Sequence, residues 1–136
     1  MLFLDTSALV KRYVAEAESD FVLELMDRDT VWAASALARL ETQVTLCHLG
    51  FAMEEETELR RRAQSDWERF AVVPLIPSLL DRAVEMGCNL RLRTLDAIHL
   101  SAAAQFPRPL TFLTFDSTQA AAAATLGFEL PSLIDG

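Results

Sequence analysis

The chain has 136 residues, 51% of them hydrophobic, and its 20 acidic against 12 basic side chains give a formal charge of −8 near neutral pH. One domain with a genuine core fits that length, the acidity argues against a broad basic nucleic-acid platform, and no apolar stretch approaches the roughly 18 residues a membrane span needs. Asp5 interrupts the first apolar run, and Lys11 and Arg12 follow rather than precede it, which is not the order of a secretory leader, so a cytoplasmic protein is expected.

The opening stretch, Met1-Leu-Phe-Leu-Asp5-Thr-Ser, reads as a buried strand that stops at a carboxylate and hands over to a helix running from Ala8 to Tyr13. Residues Ser19 to Arg28 place Phe21, Val22, Leu25 and Met26 at helical spacing. Val31-Trp32-Ala33 is a second strand, and Ser35 caps a helix from Ala36 to about Gly50. On that helix Leu37, Leu40, Val44 and Leu46-Cys47-His48 form an apolar stripe that is expected to face inward and to carry Glu41 with it. Glu54 to Glu58 opens the next helix and Arg60 to Arg62 follow a turn later, with Glu56–Arg60 and Glu58–Arg62 as expected pairs on a solvated face.

Ala71 to Ile76 is a strand that Pro74 confines to an edge or a strand end. Pro77-Ser78 marks a turn, Leu79 to Met86 a short helix stopped by Gly87, and Arg91 to Gln105 a longer one. Leu110 to Phe115 is a further buried strand that again ends on an aspartate, Asp116. Gln119 to Leu126 is an alanine-rich helix closed by Gly127, and Phe128 to Leu130 a last short strand. Cys47 and Cys88 lack C-x-x-C spacing and read as two reduced, buried thiols. This alternation predicts a single α/β domain over residues 1–136, a three-layer α/β/α sandwich around a mostly parallel sheet.

Four acids stand out. Asp5 and Asp116 each end a strand and precede a helix, where an N-cap is the plain alternative, and Asp116-Ser-Thr-Gln119 has capping-box spacing. Glu41 and Asp96 lie on apolar helix stripes, where the plain alternative is a salt bridge with Arg39 or Arg93. Four carboxylates brought together would repel, and a hard divalent cation with oxygen ligands is the remedy, which favours magnesium or manganese. Such an ion on a phosphodiester activates water and stabilises the charge on the oxygens. Lys11, Arg12, Arg39, Arg91 and Arg93 are the candidate phosphate contacts, while Trp32 and Trp67 read as packing groups or interface anchors and His99 as a hydrogen-bonded core residue.

Leu4-Asp5-Thr6-Ser7-Ala8-Leu9-Val10-Lys11, Glu41 within a helix, Leu92-Arg93-Thr94-Leu95-Asp96-Ala97-Ile98-His99-Leu100-Ser101-Ala102 and Leu113-Thr114-Phe115-Asp116 together closely resemble the PIN-domain ribonucleases, in particular the VapC toxins of toxin–antitoxin pairs. The resemblance spans the chain and shows no departure at the acids. It implies a Mg2+- or Mn2+-dependent endoribonuclease with Asp5, Glu41, Asp96 and Asp116 as the acidic quartet. Asp5 and Asp96 would be the firmest ligands, Asp116 a ligand often held through water, and Glu41 a ligand or a group that positions the attacking water. Thr6 and Thr114 match the family's hydroxyl positions near the site. The resemblance further implies a homodimer and a cognate antitoxin that blocks the site. Family members cleave different RNAs, and nothing in this sequence selects one.

Two other readings remain open at this point. A metal-dependent phosphatase would also place an aspartate after its first strand, but a dehalogenase-type motif wants an acid where Ser7 stands. A PIN-like module that binds a protein partner without activity is the non-enzyme alternative. For a partner or second subunit, the apolar positions along Phe21 to Met26 and Leu46 to Met53 are the expected surface.

Overall fold

The computed structural model describes residues 1–131. In chain order the elements are β1 (Leu2–Leu4), α1 (Thr6–Tyr13), α2 (Ser19–Arg28), β2 (Trp32–Ser35), α3 (Ala36–His48), α4 (Met53–Asp66), β3 (Phe70–Val73), α5 (Pro77–Leu90), α6 (Thr94–Ala103), β4 (Thr111–Leu113) and α7 (Ser117–Thr125). The four strands pair in parallel in the order β3-β2-β1-β4, with Leu2 opposite Trp32 on one side and Thr111 on the other.

Strand alternation divides the core into two halves. Phe3, Ala33 and Phe112 face a layer built from α5, α6 and α7 through Leu79, Ala97, Leu100 and Ala123. Leu2, Leu4, Trp32, Ala34 and Leu113 face the opposite layer, built from α1, α2 and α3 through Leu9, Val22, Met26 and Ala38. The expected α/β/α sandwich is therefore the observed architecture. Helix α4 sits outside it and is joined through Tyr13, Leu46, Leu59 and Ala63. A second tie holds it there: Arg12 Nε and the Tyr13 hydroxyl both donate to Asp66 Oδ2, at 2.8 and 2.7 Å. Burial pushes the Asp66 carboxyl up, and the donors Arg12 and Tyr13 outweigh it and hold it below the usual range.

Several expectations are corrected. Helix α1 starts at Thr6 because Asp5 itself is the cap, accepting the Ala8 N–H at 3.1 Å. Helix α5 runs through Gly87 to Leu90, and α6 begins only at Thr94. Phe128 to Leu130 contributes one isolated bridge, Thr111 with Glu129, rather than a strand. On α3 the inward face is Ala38, Thr42 and Leu46, whose small members permit close packing on α1, so Leu40 and Val44 point outward. Arg61, not Arg62, pairs with Glu58, while Glu56 and Arg60 stand 4.0 Å apart as expected. Cys47 and Cys88 are exposed, not buried, since each falls on the outer face of its helix. Phe21 and Phe51, expected on a partner surface, pack against the core instead. Both tryptophans are buried packing groups, and Pro74 lies just past the end of edge strand β3.

The sheet order also explains where a site can form. The chain moves outward from β1 to β2 and β3, then returns to place β4 on the other flank of β1. The carboxyl ends of β1 and β4 bound a topological switch point, the place where open α/β sheets leave a crevice.

Candidate active site

Asp5 and Asp116 are neighbours because β1 and β4 are paired, and the Asp5 N–H donates to Leu113 O at 3.3 Å. Above these strand ends, α3 contributes Glu41 and the first turn of α6 contributes Asp96. All four acids line one cleft of about 400 Å3, together with Thr6, Ser7, Arg93, Thr94, Leu95, His99 and Gln119.

Asp5 is the most enclosed of them, 1% exposed. The Ser7 hydroxyl donates to its Oδ1 at 2.7 Å and the Thr114 hydroxyl to its Oδ2 at 2.6 Å. Both hydroxyls are themselves fixed: Ser7 accepts the Phe115 N–H at 2.9 Å and Thr114 the Asp116 N–H at 3.0 Å. Burial raises the Asp5 carboxyl above its ordinary pKa despite these donors. Among the described residues no lysine or arginine forms a salt bridge with Asp5, Asp96 or Asp116.

The other three carboxylates share a pattern, each tied through one oxygen. Glu41 Oε1 accepts from Thr6 at 2.6 Å and from His99 Nε2 at 3.0 Å. Asp96 Oδ1 accepts from the Gln119 side-chain amide at 2.9 Å, and Asp116 Oδ1 from the Gln119 backbone N–H at 2.9 Å. The second oxygen of each has no hydrogen-bond donor among the described residues. The His99 hydrogen bond chiefly, aided by Thr6, holds the Glu41 carboxyl below its usual range. His99 is 2% exposed, and its Nδ1 stands 3.2 Å from the Ser35 hydroxyl. Ser35 Oγ already accepts the Ala38 N–H, so its proton is free for Nδ1, and the ring then donates from Nε2 to Glu41.

Neither expected arginine partner neutralises an acid. Arg93 lines the cleft, whereas Arg39 lies apart, lining a second cleft with Gln43, Thr57, Arg60, Arg61 and Gln64. Lys11 and Arg12 are occupied by Glu16 and Glu18 and by Asp66 respectively, and Thr6 and Thr114 are committed to carboxylates. The capping box at Asp116 is only half formed, because the Gln119 side chain turns to Asp96 instead of reaching back. Ser7, Ser35 and Gln119 were not expected to serve the acids. Ser7, two residues beyond Asp5, was the most findable, while the other two need contacts that sequence spacing does not reveal.

Oxygen-only donors of this kind suit a hard cation. Among the described residues, no group of three or more His, Cys, Asp or Glu side chains is drawn together tightly enough to hold an ion as it stands. The carboxylates are instead kept by separate donors around one shared cleft, except that Gln119 serves both Asp96 and Asp116.

The family model described as PIN domain matches residues 2–125. The chain belongs to the PIN domain family. Within it, the chain is 32% identical over 133 residues to Ribonuclease VapC47 of Mycobacterium tuberculosis, covering 94% of this chain and 93% of that one. This PIN domain also shares its fold with the crystal structure of FitAcB from Neisseria gonorrhoeae, at TM-score 0.74 and 19% identity over 97% of each chain. A toxin–antitoxin complex from Klebsiella pneumoniae aligns at TM-score 0.68 and 19% identity, over 89% of this chain and 91% of that one. The sequence relative is thus a VapC ribonuclease and the solved structures share the fold, and the acids of the PIN domain described above occupy the carboxyl ends and helix faces that its topology brings together.

Proposed function

We propose that this PIN domain is a Mg2+- or Mn2+-dependent endoribonuclease toxin of the cytoplasm, held in check by a cognate antitoxin. The observation that carries the reading is the shared cleft, in which three carboxylates each keep one oxygen untethered beside a buried aspartate that has no cationic side-chain partner. The ribonuclease name of the VapC47 relative supports the substrate class, and the toxin–antitoxin assembly of a structural neighbour supports the partner.

Asp5, Glu41, Asp96 and Asp116 are the residues that would hold the cation. When bound, Mg2+ or Mn2+ supplies Lewis-acid activation of water and of the phosphodiester oxygens. The chain's own groups do the rest. Ser7 and Thr114 fix Asp5 at the floor of the cleft. Glu41, kept ionised by His99 and Thr6, offers Oε2 as an acceptor that orients the attacking water. Arg93 at the rim is placed to meet a phosphate. Arg39 is assigned no part in this cleft.

A homodimer accompanies this reading. Outward-facing apolar side chains recur at Leu80 and Val84 on α5, with Leu40 and Val44 on α3 a second such face, and a self-complementary contact would cover one of them. The function is tested with purified protein and structured RNA in Mg2+ and in EDTA. Cleavage is expected only with the metal, and Asp5→Asn and Asp96→Asn should each lose about 100-fold or more in kcat, the scale on which charge-stabilising groups act. Metal-independent cleavage, or full activity in either variant, refutes the mechanism.

A further inference from the structure

One residue at the cleft has a hydrogen-bonding arrangement that packing does not explain. Gln119 lies in the first turn of α7 and is 4% exposed. Its backbone N–H donates to Asp116 Oδ1, and its side-chain Nε2 donates to Asp96 Oδ1, both at 2.9 Å. Its Oε1, by contrast, is buried without a hydrogen-bond partner among the described residues. A buried acceptor without a donor is unfavourable, and in a purely structural position an apolar side chain of the same length would avoid it. The amide orientation is therefore set by Asp96 and not by the surrounding core.

What this orientation does follows from the oxygens it uses. Of the two Asp96 carboxylate oxygens, Gln119 occupies Oδ1, leaving Oδ2 with no donor among the described residues. The same residue occupies Asp116 Oδ1 through its main chain. Carboxylates held at one oxygen are restricted in rotation and offer the other in a fixed direction, as outer-shell donors do around metal ligands. Asp96 and Asp116 come from different helix starts, one following the α5–α6 turn and the other following β4. Among the described residues, Gln119 alone hydrogen-bonds to both carboxylates.

We propose that Gln119 is a positioning residue of the divalent-metal site, which aims Asp96 Oδ2, and with it the Asp96–Asp116 pair, at a common cation. This rests on the metal-dependent reading above and adds a residue to it. Its consequence is a trade between stability and metal affinity. Replacing the amide by an apolar side chain of equal length removes the orphaned acceptor and frees Asp96 to rotate, while the backbone donation to Asp116 survives.

The test is calorimetric titration of wild type, Gln119→Met and Gln119→Asn with Mn2+ alone, with thermal melting in EDTA and RNA cleavage kinetics beside it. Gln119→Asn keeps an amide but draws it one methylene away from Asp96, so it reports on reach without adding an apolar surface. Q119M is expected to melt at or above the wild-type temperature in EDTA, yet to bind Mn2+ more weakly by about 10-fold to 100-fold, the range for lost outer-shell donors. Q119N should show the same loss of affinity, and in both variants kcat should fall with KM for RNA little changed. Unchanged Mn2+ affinity in both variants overturns the assignment. So does a drop in the EDTA melting temperature of Q119M with Mn2+ affinity retained in Q119N, which would make the residue a packing group. Wild type that neither binds Mn2+ nor cleaves RNA would refute the metal-dependent reading itself, and this inference with it.

Discussion

Thr114 shows how much a single hydroxyl carries in this cleft. It donates to Asp5 Oδ2 and accepts the Asp116 N–H, so it couples the ends of two strands that are more than a hundred residues apart in sequence. Thr114→Val keeps the shape and removes both bonds. The loss should be about 2 kcal/mol at neutral pH, the cost of leaving buried polar groups unpaired. Its sign with pH follows from Asp5. Burial already raises the folded-state pKa of that carboxyl, so its ionisation disfavours the folded state, and the associated stability is full in acid and lost as pH rises through the folded pKa. Removing a donor raises that pKa further, so the penalty of Thr114→Val should be smallest below about pH 4, where Asp5 is protonated in folded and unfolded chains alike, and largest at neutral pH. Urea unfolding of both proteins across this range measures it. A penalty independent of pH would show that the hydroxyl serves the Asp116 backbone and not the Asp5 carboxylate.

At the level of elements, the sequence is readable where a signal is local and unreadable where the partner is distant. The strands end at Asp5 and near Asp116 as their apolar runs dictate, and the four acids line one cleft, Glu41 among them although Leu40 and Val44 of the stripe expected to carry it inward point outward. The donors that aim those acids are another matter: Gln119 reaches Asp96 across 23 positions and His99 reaches Glu41 across 58, and no periodicity encodes either contact. The α5–α6 boundary fails for a different reason. Gly87 looks like a helix stop, yet Arg91 adopts the left-handed cap with φ 54° four residues after the expected break, and its N–H bonds back to Gly87 O. Gly87 instead sits where α5 and α6 come close. A Cβ there would stand 3.6 Å from Ala97 Cβ and 3.7 Å from Leu92 O, ordinary contact distances. Gly87→Ala should therefore fit and stabilise the protein by about 0.5–1 kcal/mol, the helix-propensity difference between the two residues. Chemical denaturation checks this. A loss of stability would mean that the helices need a closer approach than these distances imply.

For the molecule as a whole, the proposed homodimer has to form between two copies that each carry −8. Long-range charge opposes association, so the attraction must come from apolar contact, and screening should help it. Val84, 64% exposed on the outer face of α5 one turn beyond Leu80, is a prominent part of such a surface. Two consequences can be measured by sedimentation velocity. Raising salt from about 0.05 to 0.5 M, which shortens the screening length severalfold, should strengthen the dimer. Val84→Glu should yield monomer at concentrations where wild type is paired, because it places a charge in the apolar contact and adds to the repulsion on both copies. Its melting temperature as a monomer should stay within a few degrees of wild type, since a side chain this exposed contributes little to its own fold. Association that weakens with salt would show that ion pairs hold the copies together, and a Val84→Glu protein that still pairs would place the contact elsewhere, with the Leu40–Val44 face of α3 the next surface to substitute.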